Sequence, residues 1–352
     1  MKGTETVLIA SLIISIYLYT NKVSKTINLP NNIITLQEST KIIESRGEDI
    51  VVVFTSGPKF NSSNQFARFI DETLFGKLNT ELGKRDITFV VLNTTCLART
   101  EVRCTAKFTD IALSIAKLKP IAVVYAGIDS GIAANSFESI IKSESIPIYI
   151  IGTRVAIANN VYIGPDNVKL GKSAYEGLKK YIEPNQEALY VETVRIVAPH
   201  DKLDNGYPRI NSARQLFEKA GVKTRETLFT VWNNEQTYLQ VRVQLLREGP
   251  VEYIIVPSGE TAIGASKAVT ELGYKGKVKI VALDFTEETL DLLKRKEIYG
   301  IVSQELNKQS VALSDIITTK RKPNTKEILF ASDLITLENV YKFYDDEGNV
   351  IY

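Results

Sequence analysis

From residue 50 onward, short apolar runs alternate with longer stretches in which apolar residues recur at helical spacing. The runs in the first half of the chain are rich in valine and isoleucine and predict buried strands: IVVVFTS, ITFVVLN, IAVVYAG and IPIYIIG. After the first run, apolar residues four apart predict one face of a helix: Phe66, Ile70, Leu74, Leu78 and Leu82. Continuous apolar strands alternating with amphipathic helices are typical of a parallel sheet covered on both faces. The first half therefore predicts one α/β lobe.

The same alternation begins again in the second half of the chain. Strands are predicted in the segments ALYVETVRIVAP, VEYIIVPS, VKIVALD and IYGIVSQ. Helices are predicted over residues 209–220, 261–272 and 310–318, the first with Ile210, Ala213, Phe217 and Ala220 on its inner face. Two such lobes in tandem place a cleft between the carboxyl ends of two sheets, where open α/β sheets bind ligands. The predicted fold class is α/β, with two doubly wound parallel-sheet lobes.

The N-terminus carries a separate apolar run, VLIASLIISIYLY, over residues 7–19, which is uncharged and preceded by Lys2. It is long enough for the apolar part of a secretory signal but shorter than the roughly 20 residues that cross a bilayer. Neither a small-residue cleavage site nor a cysteine follows it. We therefore expect residues 1–20 to be a removed signal or a retained anchor, with a buried core helix as the alternative. The predicted localisation is extracytoplasmic: secreted, periplasmic, or anchored at the outer face of the cell membrane.

Composition fits a neutral, soluble, two-domain protein of 352 residues. Hydrophobic residues make up 44% of the chain and charged residues 24%, as in ordinary globular proteins. The net charge of +2 and the lack of a basic block give no reason to expect nucleic acid as a partner. One histidine and two cysteines argue against a metal site rich in either residue.

The two cysteines, Cys96 and Cys104, stand at the ends of the segment CLARTEVRC. In an oxidising compartment such a pair can form a disulfide, and closing so short a loop would contribute about 2–3 kcal/mol in the chain-entropy model. Two free buried thiols are the alternative.

Four segments resemble the type I periplasmic sugar-binding proteins, the ribose-binding type, over about residues 50–340. They are IGPDNVKLGKSAYEGL, with the family's Asp-Asn-x-x-x-Gly; YPR leading into a helix; VALDFTEETLDLLKRKEIYGIVSQ; and LITLENV. The resemblance implies a periplasmic-binding-protein type I fold, with lobes joined by a three-segment hinge. After residues 1–20 and a spacer at 21–48, lobe 1 is predicted at 49–153 plus 305–330 and lobe 2 at 154–304 plus 331–345.

The resemblance implies four ligand contacts in the second lobe, each with a plainer alternative. Asp284 follows an apolar strand, and its carboxylate would accept hydroxyl hydrogen bonds; capping the helix that begins near residue 286 is the alternative. Arg209 offers a planar fork of donors, or is a solvated first-turn arginine. Gln304 ends a strand and contacts ligand or solvent. Trp232 would stack on the apolar face of a sugar, or pack in the core.

Five further residues are placed in the site by the same resemblance: Phe60, Asn61, Asp129, Arg154 and Ser258. The first four fall where first-lobe contacts occur. Ser258 begins a Ser-Gly pair where the family usually has Asn-Asp, so a hydroxyl replaces an amide and the ligand cannot be carried over. The loop FTSGPKFNSSNQF also departs from the family's usual aromatic pair. Loss of binding is the alternative explanation of both departures.

These features predict a solute-binding protein that captures a small polar ligand, with a sugar favoured, by closure of the lobes and delivers it to the permease of an ABC transporter. The alternative is a membrane-tethered sensor ectodomain that binds a sugar or nucleoside. A repressor of the same fold is excluded because an apolar run stands where a helix-turn-helix would be. No catalytic constellation, metal site or cofactor motif is recognised, and His200 is interpreted as structural.

Overall fold

A computed structural model describes the following parts of the chain: residues 16–19, 49–56, 80–81, 87–94, 112–113, 115–116, 119–127, 141, 145–152, 154, 160–193, 205–230, 233–320 and 323–344. The chain divides into two compact units, one of Met1–Lys59 with Leu82–Ile148 and one of Phe60–Glu81 with Tyr149–Tyr352. The lobe boundaries derived from the resemblance remain predictions.

In the first unit, three of the strands predicted from apolar runs form a parallel sheet. Strand β2 (Asp49–Ser56) lies between β3 (Ile87–Thr94) and β4 (Ala122–Gly127) and is parallel to both. The middle of β4 is buried without exposure at Val123 and Val124, as expected of a strand covered on both faces. These strands confirm the parallel sheet predicted for the first half, whereas the helical face predicted from Phe66, Ile70, Leu74, Leu78 and Leu82 lies outside the described residues.

The end of the N-terminal apolar run is also a strand. β1 (Ile16–Tyr19) pairs antiparallel with β3, with Ile16 opposite Leu92. The alternative of a core helix is therefore wrong for these four residues, whose isoleucine and tyrosines favour extended backbone. Residues 1–15 and the spacer at 21–48 lie outside the described residues, and the export role of the segment remains a prediction. None of the helices in the described part of the chain is long and apolar enough to cross a membrane.

The second unit contains a short set of parallel strands. β6 (Val161–Pro165) pairs on one side with β5 (Ile148–Ile151) and on the other with β12 (Glu327–Phe330). The last three residues of β5 belong to this unit. Strand β12 is thus brought beside β6 from a position far along the chain.

The same unit holds a six-stranded sheet in the order β13-β11-β10-β9-β7-β8. Its strands are β7 (Glu187–Thr193), β8 (Lys223–Thr230), β9 (Tyr253–Val256), β10 (Lys279–Ala282), β11 (Gly300–Val302) and β13 (Leu334–Ile335). All neighbours are parallel except β13, which runs antiparallel to β11. Because the parallel strands run in one direction, their carboxyl ends lie at one common edge of this sheet.

Gly177 and Gly300 both lie against Leu334. A Cβ on either glycine would come within 3.0 Å of the Leu334 side chain.

Helices cover both faces of the six-stranded sheet. They are α1 (Asn167–Leu178), α2 (Gly206–Lys219), α3 (Asn234–Glu248), α4 (Gly259–Glu271) and α5 (Glu287–Lys294), with short 3-10 turns at Lys179–Tyr181 and Val340–Phe343. Helix α6 (Leu306–Thr319) lies instead against β6 and β12. Since successive strand residues point to opposite faces, Tyr190 of β7 packs in the cluster that contains Phe217 of α2, while Leu189 packs in the cluster that contains Leu245 of α3. This two-sided covering confirms the doubly wound fold class.

Candidate functional site

Three of the predicted ligand contacts lie together at the carboxyl edge of the six-stranded sheet. Ser258, Asp284 and Gln304 each follow the last residue of a strand, β9, β10 or β11, by two positions. Because these strands are parallel neighbours, the three residues are delivered to the same edge. Each side chain is almost wholly buried.

Asp284 and Gln304 are in direct contact. The amide nitrogen Nε2 of Gln304 donates to Oδ1 of Asp284 at 2.7 Å. Helix α5 is capped by Thr286, whose Oγ1 accepts from the backbone N–H of Thr289, with a return bond from the Thr286 N–H to Oγ1 of Thr289. The alternative in which Asp284 caps this helix is therefore wrong, and its carboxylate is left to the edge of the sheet.

Burial dominates the electrostatics of Asp284. Loss of water around the carboxylate raises its pKa to about 7 from an ordinary value near 4. The positive charge of Arg209, the amide of Gln304 and the backbone N–H of Gly259 lower this pKa, whereas the charge of Glu260 raises it. The carboxyl group therefore changes charge near neutral pH.

Arg209 lies between the ends of two of the same strands. Its Nη1 donates to the carbonyl oxygen of Pro257, beyond β9, at 2.8 Å and to that of Leu283, beyond β10, at 3.3 Å. Its Nε donates to Oδ1 of Asn167 at 2.7 Å. Only 2% of the residue is exposed, so the alternative of a solvated first-turn arginine is wrong.

Helix packing explains how Arg209 reaches this place. A Cβ on Gly171 of α1 would lie 2.1 Å from the backbone oxygen of Arg209, so only glycine lets α1 approach the first turns of α2 this closely. Gly171 is the glycine of the Asp-Asn-x-x-x-Gly segment, and Asn167 is its asparagine. Asn167 also donates through Nδ2 to Oδ1 of Asn205 at 3.0 Å. The segment therefore fixes the guanidinium from the α1 side.

The hydroxyl of Ser258 serves a helix cap. Its Oγ accepts from the backbone N–H of Thr261 at 3.3 Å, and Oγ1 of Thr261 accepts from the Ser258 N–H at 3.1 Å. This capping box begins α4 and satisfies N–H groups that have no partner within the helix. A ligand contact of Ser258 remains a prediction beside this structural role.

Arg154 is placed in a different environment. Both terminal nitrogens of its guanidinium face the carboxylate of Glu327 on β12, and the group lies 4.5 Å above the ring of Tyr162 on β6. The hydrogen bond to Glu327 raises the pKa of Arg154 and lowers that of the carboxyl group. These contacts tie β12 to β6. The ligand role of Arg154 remains a prediction.

The other predicted site residues lie outside the described residues, and their roles remain predictions: Phe60, Asn61, Asp129 and Trp232. The same is true of Cys96, Cys104 and His200. In the described part of the chain, no group of three or more metal-ligating side chains occurs.

Two buried amides of this edge were not predicted as part of the site. Asn167 holds Arg209, and its position in the Asp-Asn segment was the available signal. Gln309, in the first turns of α6, donates through Nε2 to the backbone oxygen of Gln304 at 2.7 Å. Nothing in the local sequence pattern distinguishes Gln309 from a surface glutamine.

The cluster as a whole combines an acidic acceptor, a guanidinium and amides within one buried polar edge. A carboxylate accepts hydrogen bonds from hydroxyl groups, and guanidinium and amide N–H groups donate to hydroxyl or ring oxygens. The arrangement therefore suits a ligand that both donates and accepts hydrogen bonds.

Comparisons with known proteins agree with this architecture. The model of a family described as the periplasmic binding protein domain matches residues 104–319, more than half of the chain. A D-ribose/D-allose-binding protein of Pseudomonas aeruginosa is 23% identical over 189 residues, which are 54% of this chain and 55% of that protein. The match thus spans about half the length of this relative.

Solved structures resemble the chain over most of its length. A solute-binding protein of an ABC transporter from Actinobacillus succinogenes, with bound D-allose, has a TM-score of 0.67 at 18% identity, covering 84% of this chain and all of that one. One from Bacillus halodurans, with bound myo-inositol, has a TM-score of 0.67 at 14% identity, covering 84% and 97%. At these identities the likeness concerns the fold. By its family match and its two-sided parallel sheet, the chain belongs to the periplasmic binding protein domain family.

Proposed function

We propose that this protein is an extracytoplasmic solute-binding protein whose ligand is a neutral sugar or a related polyol. The observation that carries the proposal is the contact of Asp284 with Gln304 at the edge where Arg209 also lies. Vicinal hydroxyl groups donate to a carboxylate and accept from amide and guanidinium groups, which is the pattern that this edge offers. The sugars bound by the relatives support the same class.

Each of the three residues has a defined part in this proposal. Asp284 accepts from ligand hydroxyls, while Gln304 holds one carboxylate oxygen so that the group is oriented before the ligand arrives. Arg209 supplies positive charge beside the carboxylate and fixes the backbone at the ends of β9 and β10. Such preorganisation favours affinity because little conformational freedom is lost on binding.

Binding is tested by a thermal-shift screen followed by calorimetric titration. The panel contains D-ribose, D-allose, D-arabinose, D-fucose and myo-inositol, with nucleosides and amino acids as other classes. We expect one saturable ligand from the sugar and polyol group.

Asp284→Asn should weaken the binding of this ligand at least about tenfold, because a charge-assisted hydrogen bond contributes about 1.5–3 kcal/mol. Asp315→Asn, the same change on the exposed surface of α6, is the control. Binding confined to amino acids, or unchanged in Asp284→Asn, would contradict the proposal.

Delivery to an ABC transporter is the second part of the proposal. It is supported by the relatives that are described as solute-binding proteins of such transporters. Uptake of the labelled sugar should fall in cells that lack the gene and return when the gene is supplied. Normal uptake with loss of a transcriptional response to the sugar would instead favour the sensor ectodomain.

A further inference from the structure

The turn between β11 and α6, residues 303–305, holds Gln304 in a constrained backbone. Glu305 has φ 58° and ψ 50°, the left-handed conformation that is uncommon for a residue with a side chain. Such a conformation persists where neighbouring groups hold it. The residue is also buried, since 7% of it is exposed.

Several side chains brace the residues on either side of Gln304. Oγ of Ser303 accepts from the backbone N–H of Glu305 at 3.0 Å, and Oγ of Ser332 accepts from the N–H of Ser303 at 2.8 Å. Nζ of Lys308 lies 2.6 Å from Oε2 of Glu305. None of these contacts reaches Gln304 itself.

Among the described residues, Gln309 is the one whose side chain forms a hydrogen bond with the backbone of Gln304. Its Nε2 donates to the Gln304 carbonyl oxygen at 2.7 Å, and the residue has no exposed surface. Its Oε1 has no hydrogen-bond partner among the described residues. Burying an unpaired amide oxygen is unfavourable, whereas an apolar side chain of similar size would leave no such oxygen. What the amide adds to the fold is therefore the bond to Gln304.

We propose that Gln309 is a positioning residue of the binding site: by holding the Gln304 backbone, it keeps the Gln304 amide on the Asp284 carboxylate. Its importance for affinity rests on the function proposed above. The placement of Gln304 by Gln309 does not depend on that function, because the hydrogen bond exists in the ligand-free protein and its effect can be measured there.

The pKa of Asp284 reports whether the Gln304 amide is held on the carboxylate. Facing Asp284 are Arg209 from α2, Glu260 and the Gly259 N–H from α4, and the Gln304 amide from the turn after β11. The amide stabilises the charged carboxylate, so its displacement raises the pKa of Asp284. A change that only loosened helix α6 without moving Gln304 would leave that pKa unchanged.

The first experiment titrates the Asp284 carboxyl carbon by NMR in the ligand-free protein. Gln309→Met, which has similar volume and no donor, should raise the pKa of Asp284 above the wild-type value of about 7, as should Gln304→Ala. In a protein that already carries Gln304→Ala, adding Gln309→Met should cause no further rise, because its effect passes through Gln304. Ser314→Ala, on a buried position of the same helix, is the control.

Two results would overturn the proposal. One is a wild-type pKa of Asp284 in Gln309→Met and in Gln309→Leu, a second apolar variant of different shape. The other is that Gln309→Met raises the pKa of Asp284 equally in the wild-type background and in the Gln304→Ala background. That result would mean that the substitution changes the site without acting through Gln304.

The second experiment measures affinity for the wild type and Gln309→Met with D-allose, or whichever member of the sugar panel binds the wild type. The dissociation constant should rise roughly three- to tenfold, the effect of one lost hydrogen bond. If no member of the panel binds the wild type, the proposed function fails while the titration still decides the role of Gln309. Wild-type affinity of Gln309→Met for a sugar that the wild type binds would contradict the positioning role alone.

Discussion

The amide of Gln304 donates to the carboxylate of Asp284 at 2.7 Å, and this bond joins the residues beyond two adjacent parallel strands, β11 and β10. One carboxylate oxygen thus has a protein partner before any ligand is present. The orientation of the group is set by the register of the sheet and by the turn that leads into α6.

The ionised form of Asp284 should destabilise the fold at neutral and alkaline pH. Its folded pKa of about 7 lies above the value of about 3.9 in an unfolded chain, so the folded state holds the proton more tightly between these pH values. The free energy of unfolding should therefore fall as pH rises from about 4 to about 7. Asp284→Asn should be more stable than the wild type at pH 8, by up to about 4 kcal/mol, with no difference near pH 4. Denaturant unfolding across this pH range is the measurement, and a less stable Asp284→Asn at pH 8 would refute it.

Ligand binding should have the opposite dependence on pH. In the proposed site the Asp284 carboxylate accepts ligand hydroxyls, and this charged form is lost as pH falls through about 7, so affinity should decline below that pH by about tenfold per unit. Asp284→Asn should bind weakly and without this dependence. Calorimetric titration from pH 5 to pH 9 separates the two proteins. Equal affinity of the wild type at pH 5 and pH 8 would contradict this prediction.

Replacing Arg209 should lower both stability and affinity. Arg209→Ala leaves the carbonyl groups of Pro257 and Leu283 and the amide oxygen of Asn167 without this donor in a buried place, which should cost about 2–5 kcal/mol of unfolding free energy. The sequence indicates a ligand contact for Arg209, and it is the burial of this residue that makes its replacement costly in stability. Arg214→Ala, a partly buried change later on α2, is the control. A wild-type unfolding midpoint for Arg209→Ala would count against this buried network.

A methyl group on Gly171 should separate α1 from α2. Gly171→Ala places a Cβ within 2.1 Å of both the Arg209 backbone oxygen and Oγ of Ser212, and the backbone contact cannot be relieved by a rotamer change. We expect a loss of about 1–3 kcal/mol in stability, together with weaker ligand binding because Arg209 shifts. Lys172→Ala, on the exposed side of the same helix, should change neither quantity. Unaltered stability of Gly171→Ala would show that the two helices can yield.

Much of the sheet edge could be predicted because it depends on strand ends. Asp284 and Gln304 each stand just beyond a valine- and isoleucine-rich run, and in a parallel sheet such positions meet at one edge. The register that puts the two side chains 2.7 Å apart is not contained in the runs themselves. The turn that carries Gln304 also contains the left-handed backbone of Glu305, and no local signal in this non-glycine residue predicts that conformation.

Other elements could not be predicted because their apolar pattern is weak. β8 reads KTRETLFT and lies at the edge of the sheet, where exposed charged residues replace one apolar face. Arg209 was recognised by resemblance, but its burial results from the approach of α1 through Gly171, a tertiary contact. For Gln309, the partner is a backbone oxygen, which the sequence of side chains does not reveal.

The contacts of the antiparallel strand β13 can form only late in the assembly of the six-stranded sheet. Leu334 fills the space beside Gly177 and Gly300, yet it lies more than thirty positions after Gly300 and more than one hundred and fifty after Gly177. A chain that emerges from its N-terminus, at a ribosome or through a translocation pore, exposes both glycine positions long before Leu334 is available to cover them. The side of the sheet beside β11 is therefore covered only after residue 334 has been synthesised or has passed the pore, and the second unit acquires its full core only then.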